Sequence, residues 1–400
     1  MDPETPPPKS PLKIPRMSKL IVLPLAAVLL IGGGVLTAYL LNKKENTKPL
    51  ITKARSTVTP RLKTSIIVKG LTNPWDLGFG TDGTIFFTER TGYISVLVGT
   101  KQQVLKQVED VFVKGEGGLL GLVVDSDFAS NRYIYTCFNT KNDIRLVRWK
   151  VSPDLTALSE RTDIITGMPV SSSGRHSGCR PRFGPDGYLW VGTGDVAMGN
   201  NAQNPASLGG KILRVDRDGQ PAPDNLKPPF DERIFSYGHR NTQGLAFLPA
   251  PVKGVFGYSV EHGPDRDDEV NPLEAGNFGW DPVPGTYNEA VPMTDLAKYP
   301  DSLSAVWRSG DSTIAPSGAT ALKGENWLAW DGALAVAVLK GKHVRILIFD
   351  QADPLNLLEE IEVLKDFGRI RSVVQGPDGN LYFSTDNGHG SDQIVRVTPY

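Results

Sequence analysis

Residues 183–195 read FGPDGYLWVGTGD, and the way this stretch repeats decides the fold. Pro185-Asp186-Gly187 is a chain reversal, because proline presets one backbone angle and glycine supplies another that other residues resist. Tyr188-Leu189-Trp190-Val191 follows, aromatic and β-branched as a strand requires. The phrase returns as FGTDGTIFFTERTGYISVL at 79–97 and as QGPDGNLYFSTDN at 375–387. Weaker copies fill the gaps at 122–138, 245–260 and 321–349. Six units of short strands and turns, spaced by about fifty residues, predict an all-β, six-bladed β-propeller over 64–400. The competing arrangement is a pair of β-sandwiches with chance repetition.

Composition agrees with a turn-rich chain: 42 glycines and 31 prolines occur in 400 residues. Lys+Arg 43 against Asp+Glu 44 gives a net charge of −1, which argues against nucleic acid as a partner. The two cysteines, Cys137 and Cys179, match no zinc or redox spacing, and whether they pair is open at this level. Ahead of the repeats, residues 1–19 form a proline-rich polar tail expected to be disordered. Leu20 to Leu41 then carries no charged residue, and about 20 apolar residues suffice to cross a bilayer. We expect a single N-terminal transmembrane helix at 20–41. An uncleaved anchor is favoured over a secretory signal, because the segment is long and ends in Tyr39-Leu40-Leu41 without a small-residue cleavage site. A polar linker at 42–63 follows. The expected location is membrane-anchored, with the folded domain extracytoplasmic, either periplasmic or on the cell surface.

In a propeller the loops at one end of the central channel converge, so residues remote in sequence can meet. His176 follows a Ser/Gly-rich approach and belongs to a loop or strand end; Asp195 ends the next strand. A carboxylate on one ring nitrogen holds an imidazole in one tautomer and leaves the other nitrogen as a base. Glu116 is the one polar side chain in the Gly-rich entry to the second unit. Arg240 and Asn241 lie in the donor-rich run SYGHRNTQG at 236–244, and arginine's planar fork suits a carboxylate or a developing oxyanion. EHGPDRDDE at 261–269 is an acidic loop with potential oxygen ligands for Ca²⁺, though without EF-hand spacing. Lys340 closes a strand of the fifth unit, and Arg369 and Arg371 share one side of a strand by alternation. Cations aimed at one channel repel unless an anion lies between them. A compact polycarboxylate with a divalent cation nearby and a histidine base alongside suits a quinone cofactor.

The residues NPWDL (73–77), GEGGLLGL (115–122), RHSGCRPRFGPDGYLWVGTGD (175–195), GGKILRVDRDG (209–219), SYGHRNTQGLAF (236–247), EHGPDRDDEVN (261–271) and GRIRSVVQGPDGNLYFSTDN (368–387) carry a resemblance. Together, and in this order, they resemble the pyrroloquinoline quinone (PQQ)-dependent glucose/sorbosone dehydrogenase family over about 64–400. The resemblance implies that His176 is the base that takes the proton of a sugar's anomeric hydroxyl while hydride passes to the quinone. It implies Asp195 as the carboxylate orienting that base, and Arg240 as the cation that polarises the receiving quinone carbonyl. Glu116, His176, Arg240, Asn241, Lys340, Arg369 and Arg371 would contact PQQ, and Gly263 and Pro264 would offer backbone carbonyls to Ca²⁺. Glu116 and His262 each stand where the soluble glucose dehydrogenase has glutamine. The expected activity is oxidation of an aldose sugar at C1 to its lactone, with electrons passed to an external acceptor. The alternatives are a Ca²⁺-dependent lactonase-type hydrolase and a non-catalytic binding ectodomain on the same scaffold.

Overall fold

The structure, a computed structural model, describes residues 56–282 and 287–400; the tail at 1–19, the apolar segment at 20–41 and the linker up to residue 55 lie outside them. Among the described residues no helix is long and apolar enough to cross a membrane. The described residues form six four-stranded antiparallel sheets. Their first strands, Pro74–Phe79, Leu119–Val124, Gly178–Phe183, Thr242–Val252, Pro316–Ala321 and Ile370–Gln375, pack against one another in cyclic order, last against first. These six strands line a central channel, and the protein is a six-bladed β-propeller.

The repeated phrase has a local cause. In blades 1, 3 and 6 the same turn joins the inner strand to the second, with the amide of Gly80, Gly184 or Gly376 donating to the carbonyl four residues on. The Asp side chain caps it each time, accepting from the amides of Thr84, Tyr188 and Asn380. Gly83, Gly187 and Gly379 have φ near +80°, which explains the Asp-Gly pair.

The ring closes through the start of the domain. Leu62–Leu71 pairs antiparallel with Asp392–Pro399 and becomes the outer strand of blade 6, so the domain begins slightly before the expected residue 64. Each sheet is covered on both faces by its neighbours, and strands such as Leu189–Thr193 and Leu334–Val338 are buried throughout, without in/out alternation. An apolar cluster fills every blade-to-blade interface; Phe86, Val96, Leu122 and Val147, for example, join blades 1 and 2. A further bond joins blades 2 and 3: Cys137 and Cys179, open as to pairing from the sequence, form a disulfide with Cα atoms 5.6 Å apart.

The channel has its own polar core. Asp76 on the first inner strand is fully buried. Its carboxylate pairs with Arg180 at 2.7 Å and with Arg182 at 2.8 Å, and accepts from Ser372 Oγ at 2.8 Å and the Leu122 amide at 3.0 Å. Blades 1, 2, 3 and 6 are thereby tied through one side chain.

Candidate active site

Antiparallel strands that run up and down place two kinds of loop at the same end of the channel: those entering each inner strand and those leaving each second strand. The Asp-Gly turns lie at the opposite end. His176 precedes the inner strand of blade 3, and Asp195 follows that blade's second strand, Leu189–Thr193. Glu116, Asn241 and Arg369 precede inner strands of blades 2, 4 and 6; Gly263 and Lys340 follow second strands of blades 4 and 5.

The loop carrying His176 is held tightly. His176 has φ +50°, and its carbonyl lies so close to Gly194 that a Cβ there would fall 1.8 Å from it. Any other residue at 194 would displace the histidine, which gives the Gly-Thr-Gly-Asp sequence a physical reason. Asp195 is fully buried and accepts four hydrogen bonds: from His176 Nδ1 and the Ala197 amide at 2.8 Å, and from Trp280 Nε1 and the Tyr287 hydroxyl at 2.7 Å. Burial alone would raise its pKa, but the bonds from His176, Trp280 and Tyr287 hold it below the ordinary carboxylate value. On the other side of the ring, Arg175 Nη2 lies 3.4 Å from His176 Nε2. A guanidinium only donates, so Nε2 is the acceptor and the ring proton sits on Nδ1, facing Asp195. The imidazole is in the state a general base requires.

Arg240 stands beside it. Its amide donates to Glu261 Oε2 at 2.7 Å, its Nη1 to the carbonyls of His262 and Gly263 at 3.0 and 2.8 Å, and its Nη2 to Glu289 Oε1 at 3.0 Å. Glu289 Oε1 also takes Arg175 and lies 4.0 Å from His176 Nε2, so one carboxylate oxygen bonds both guanidinium groups and stands near the imidazole at the mouth. Its pKa is held down, burial being outweighed by Arg240 and Arg175.

A polar chain leads from His176 across the channel. Glu116 is kept ionised against its burial by His176, His262 and Asn241. Asn241 donates to it at 3.1 Å, and Gln243 donates to Asn241 at 3.2 Å. Arg371 reaches Gln243 at 3.5 Å and pairs with Asp386 at 2.5 Å. Arg369 lies 3.9 Å from the same Asp386 oxygen, so both arginines do face one side. Burial lowers the Arg369 pKa, and the nearby charges of Arg371 and Arg90 lower it further against the pull of Asp386. The anion expected between these arginines is thus supplied in part by the chain itself, as Asp386. Arg90 is a cation of this cluster that sequence reasoning did not single out. Lys340 lies in the turn that leaves the second strand of blade 5, with its side chain exposed and without an ion pair among the described residues.

The acidic loop at 261–269 is engaged internally. Asp268 caps the amides of Gly263, Ile314 and Ala315, and Glu261 takes His239 as well as Arg240. Glu269 pairs with Arg308 at 2.8 Å and takes Asn271. Among the described residues no group of three or more His, Cys, Asp or Glu side chains is placed to hold a metal. Burial pushes the Glu269 carboxyl up to about 8, against Arg308 and with the help of the Glu261 charge. Its ordinary value is 4.5, so between these limits the folded protein holds one proton more than the unfolded chain. Stability from this group is full below pH 4.5 and is lost as pH rises through 8, with a slope of about 1.4 kcal/mol per pH unit at most. Melting curves from pH 5 to 8.5 should decline for the native chain and flatten for Glu269→Gln; parallel declines would refute the assignment.

The geometry can be set beside known proteins. The family model for glucose/sorbosone dehydrogenase matches residues 71–396. The aldose sugar dehydrogenase YliI of Escherichia coli is 30% identical over 82% of this chain and 91% of its own length. Quinoprotein glucose dehydrogenase B of Acinetobacter calcoaceticus is 29% identical over 80% of this chain and 84% of its own. The PQQ-bound structure of aldose sugar dehydrogenase from Streptomyces coelicolor superposes with a TM-score of 0.69 at 28% identity, covering 85% of this chain and 99% of that one. Six blades, a carboxylate-held histidine beside Arg240, and a match that spans nearly the whole propeller lead to one conclusion: the chain belongs to the glucose/sorbosone dehydrogenase family.

Proposed function

We propose that this protein is a PQQ-dependent dehydrogenase that oxidises an aldose at C1 to its lactone and passes the electrons to an external acceptor. The observation that carries the reading is the His176 imidazole, fixed by Asp195 with Nε2 as its accepting nitrogen, next to Arg240 and linked by polar contacts to Arg371. The cation cluster of Arg369, Arg371 and Arg90 suits the carboxylates of PQQ. Two buried polar atoms at this site, Arg240 Nε and His262 Nε2, have no partner among the described residues, as in a site that completes itself with a polar ligand. PQQ, when bound, supplies the two-electron acceptor for the hydrogen on C1. His176 Nε2 takes the proton of the anomeric hydroxyl, Asp195 stabilises the resulting imidazolium, and Arg240 opposes negative charge that develops beside it. Asn241, Arg369 and Arg371 would hold the cofactor's carbonyl and carboxylate groups, with Glu116 at its edge. Gly263 and Pro264 would give Ca²⁺ only backbone carbonyls, so the ion depends on oxygens brought by the cofactor.

Membrane attachment through residues 20–41 and an extracytoplasmic domain remain part of the proposal, supported by the Cys137–Cys179 disulfide, since such bonds persist in oxidising compartments. Titration of the purified protein with PQQ, with and without Ca²⁺, followed by absorbance and then dye reduction with aldoses, tests the reading. Saturable PQQ binding that Ca²⁺ tightens, together with aldose-dependent reduction, is the expected result. Calcium-dependent lactone hydrolysis without PQQ would replace it with the hydrolase reading; neither binding nor turnover would leave a binding platform.

A further inference from the structure

The base and its orienting carboxylate say where the proton goes; the groups outside Nε2 say which sugars arrive. We infer that Glu289, seconded by Arg175, reads the hydroxyl on C2 of the aldose, so that the enzyme selects sugars carrying a hydrogen-bond donor at that carbon. This assignment rests on the dehydrogenase reading above. A substrate hydroxyl that donates to His176 Nε2 stands about 3 Å from it. Glu289 Oε1 is 4.0 Å from the same nitrogen, so it lies within hydrogen-bond reach of groups next to that hydroxyl. In an aldose the adjacent group is the C2 hydroxyl, whose oxygen is about 3 Å from the anomeric one when the two are gauche, an ordinary hydrogen-bond spacing.

The chemistry of the pair fits. An ionised carboxylate only accepts, and Glu289 is held ionised by two guanidinium groups. All its polar contacts with described residues fall on Oε1; Oε2 has none, which leaves lone pairs for an incoming donor. Arg175 only donates, and its Nη2 lies 3.4 Å from Nε2, within reach of the anomeric oxygen whose proton is leaving. The two side chains are part exposed, at 37% and 46%, as groups at the open face of a site are, whereas His176 beneath them is 4% exposed. Acceptor, donor and base thus converge on a vicinal pair of oxygens. The same arrangement favours a 2-amino sugar, whose ammonium would meet the carboxylate directly.

The test compares glucose, 2-deoxyglucose and glucosamine with the PQQ-loaded native protein, Glu289→Gln and Glu289→Ala. A hydrogen bond to a charged group contributes about 1.5–3 kcal/mol, which corresponds to roughly 10–150-fold in kcat/KM. The native protein should therefore prefer glucose to 2-deoxyglucose by roughly tenfold or more and accept glucosamine at least as well as glucose. Both variants should bring glucose and 2-deoxyglucose within about threefold of each other, and glucosamine should lose most. The native measurement alone can overturn the inference: equal use of glucose and 2-deoxyglucose rules it out without any variant. If the variants slow both sugars equally and leave the ratio intact, Glu289 acts only by holding Arg240, and the inference also falls. PQQ titration of each variant by absorbance separates this from failure of the function itself, in which even the native protein would bind no PQQ and oxidise no aldose.

Discussion

Replacing His176 with alanine is expected to lower kcat for aldose oxidation by roughly 10²–10⁴-fold, the range general-base catalysis contributes. The size of the effect follows from how completely the site is built around one nitrogen. Nδ1 is committed to Asp195 at 2.8 Å, and the Arg175 guanidinium marks Nε2 as the acceptor. No neighbouring side chain can take over: Glu116, beside His176, His262 and Asn241, and Glu289, beside Arg240 and Arg175, are both held below the ordinary carboxylate value, which makes them poor bases. Asp195→Asn should fall almost as far. Its amide can donate to Nδ1, which would move the ring proton to Nε2 and leave nothing there to accept with. Dye-reduction kinetics at saturating sugar, with PQQ binding followed separately by absorbance, is the measurement. A His176→Ala enzyme within tenfold of the native rate would mean the proton leaves by another route.

What could be read from the chain alone was what repeats or is local. Asp-Gly turns at 82–83, 186–187 and 378–379 are determined by a few neighbouring residues, so they marked three blades, the weaker strand copies between them the other three, and the up-and-down strand order then showed which loops share an end of the channel. His176, Asp195, Arg240 and Asn241 were legible for that reason. Glu289, Tyr287 and Trp280 were not. They belong to the excursion between the third and fourth strands of blade 4, Glu269–Pro272 and Trp307–Arg308, a connection that by the repeat rule belongs to the far end. Instead the chain runs beside the last strand of blade 3, with Tyr237 bridged to Asn277 and the Trp280 amide bonded to the Gly238 carbonyl, and so reaches the mouth. Nothing periodic signals that path. For Lys340 the repeat gives the end of the channel but not the aim, because a lysine two residues past a strand has no local feature that fixes its direction. Asp386 and Arg90 share the difficulty of all long-range charge pairs, since their partners lie in other segments of the chain.

Asp76 carries the second large expectation: Asp76→Ala should destabilise the propeller by about 3–5 kcal/mol, the cost of stranding buried charge. Arg180 is completely buried, its guanidinium 3.8 Å from the centre of the Trp75 ring. Burial drags its pKa down to about 9, and the charge of Asp76 is what opposes that fall. Arg182 makes two bonds of 2.8 Å to the same carboxylate. Removing that carboxylate leaves Arg180 a fully buried cation without its counter-charge, leaves Arg182 only the Leu122 and Pro181 carbonyls as acceptors, and takes the Asp76 acceptor from the Leu122 amide, at a point where four blades meet. Urea unfolding should give the loss directly. The double variant Asp76→Asn with Arg180→Gln should lose less than the sum of the single changes, because each partner is harmful chiefly when left alone. The effect should also reach the mouth, since Ser372 donates to Asp76 and the adjacent Arg371 lies 5.7 Å from the same Trp75 ring; PQQ affinity should fall with stability. Asp76 is held well below its ordinary value of 3.8, the two arginines overcoming its burial. The contribution of its own ionisation is therefore fully present above pH 3.8 and disappears only as pH falls below that. A cost under about 1 kcal/mol, the level of an exposed ion pair, would show that the channel tolerates an unpaired Arg180 and that the blades do not depend on this buried network to stay together.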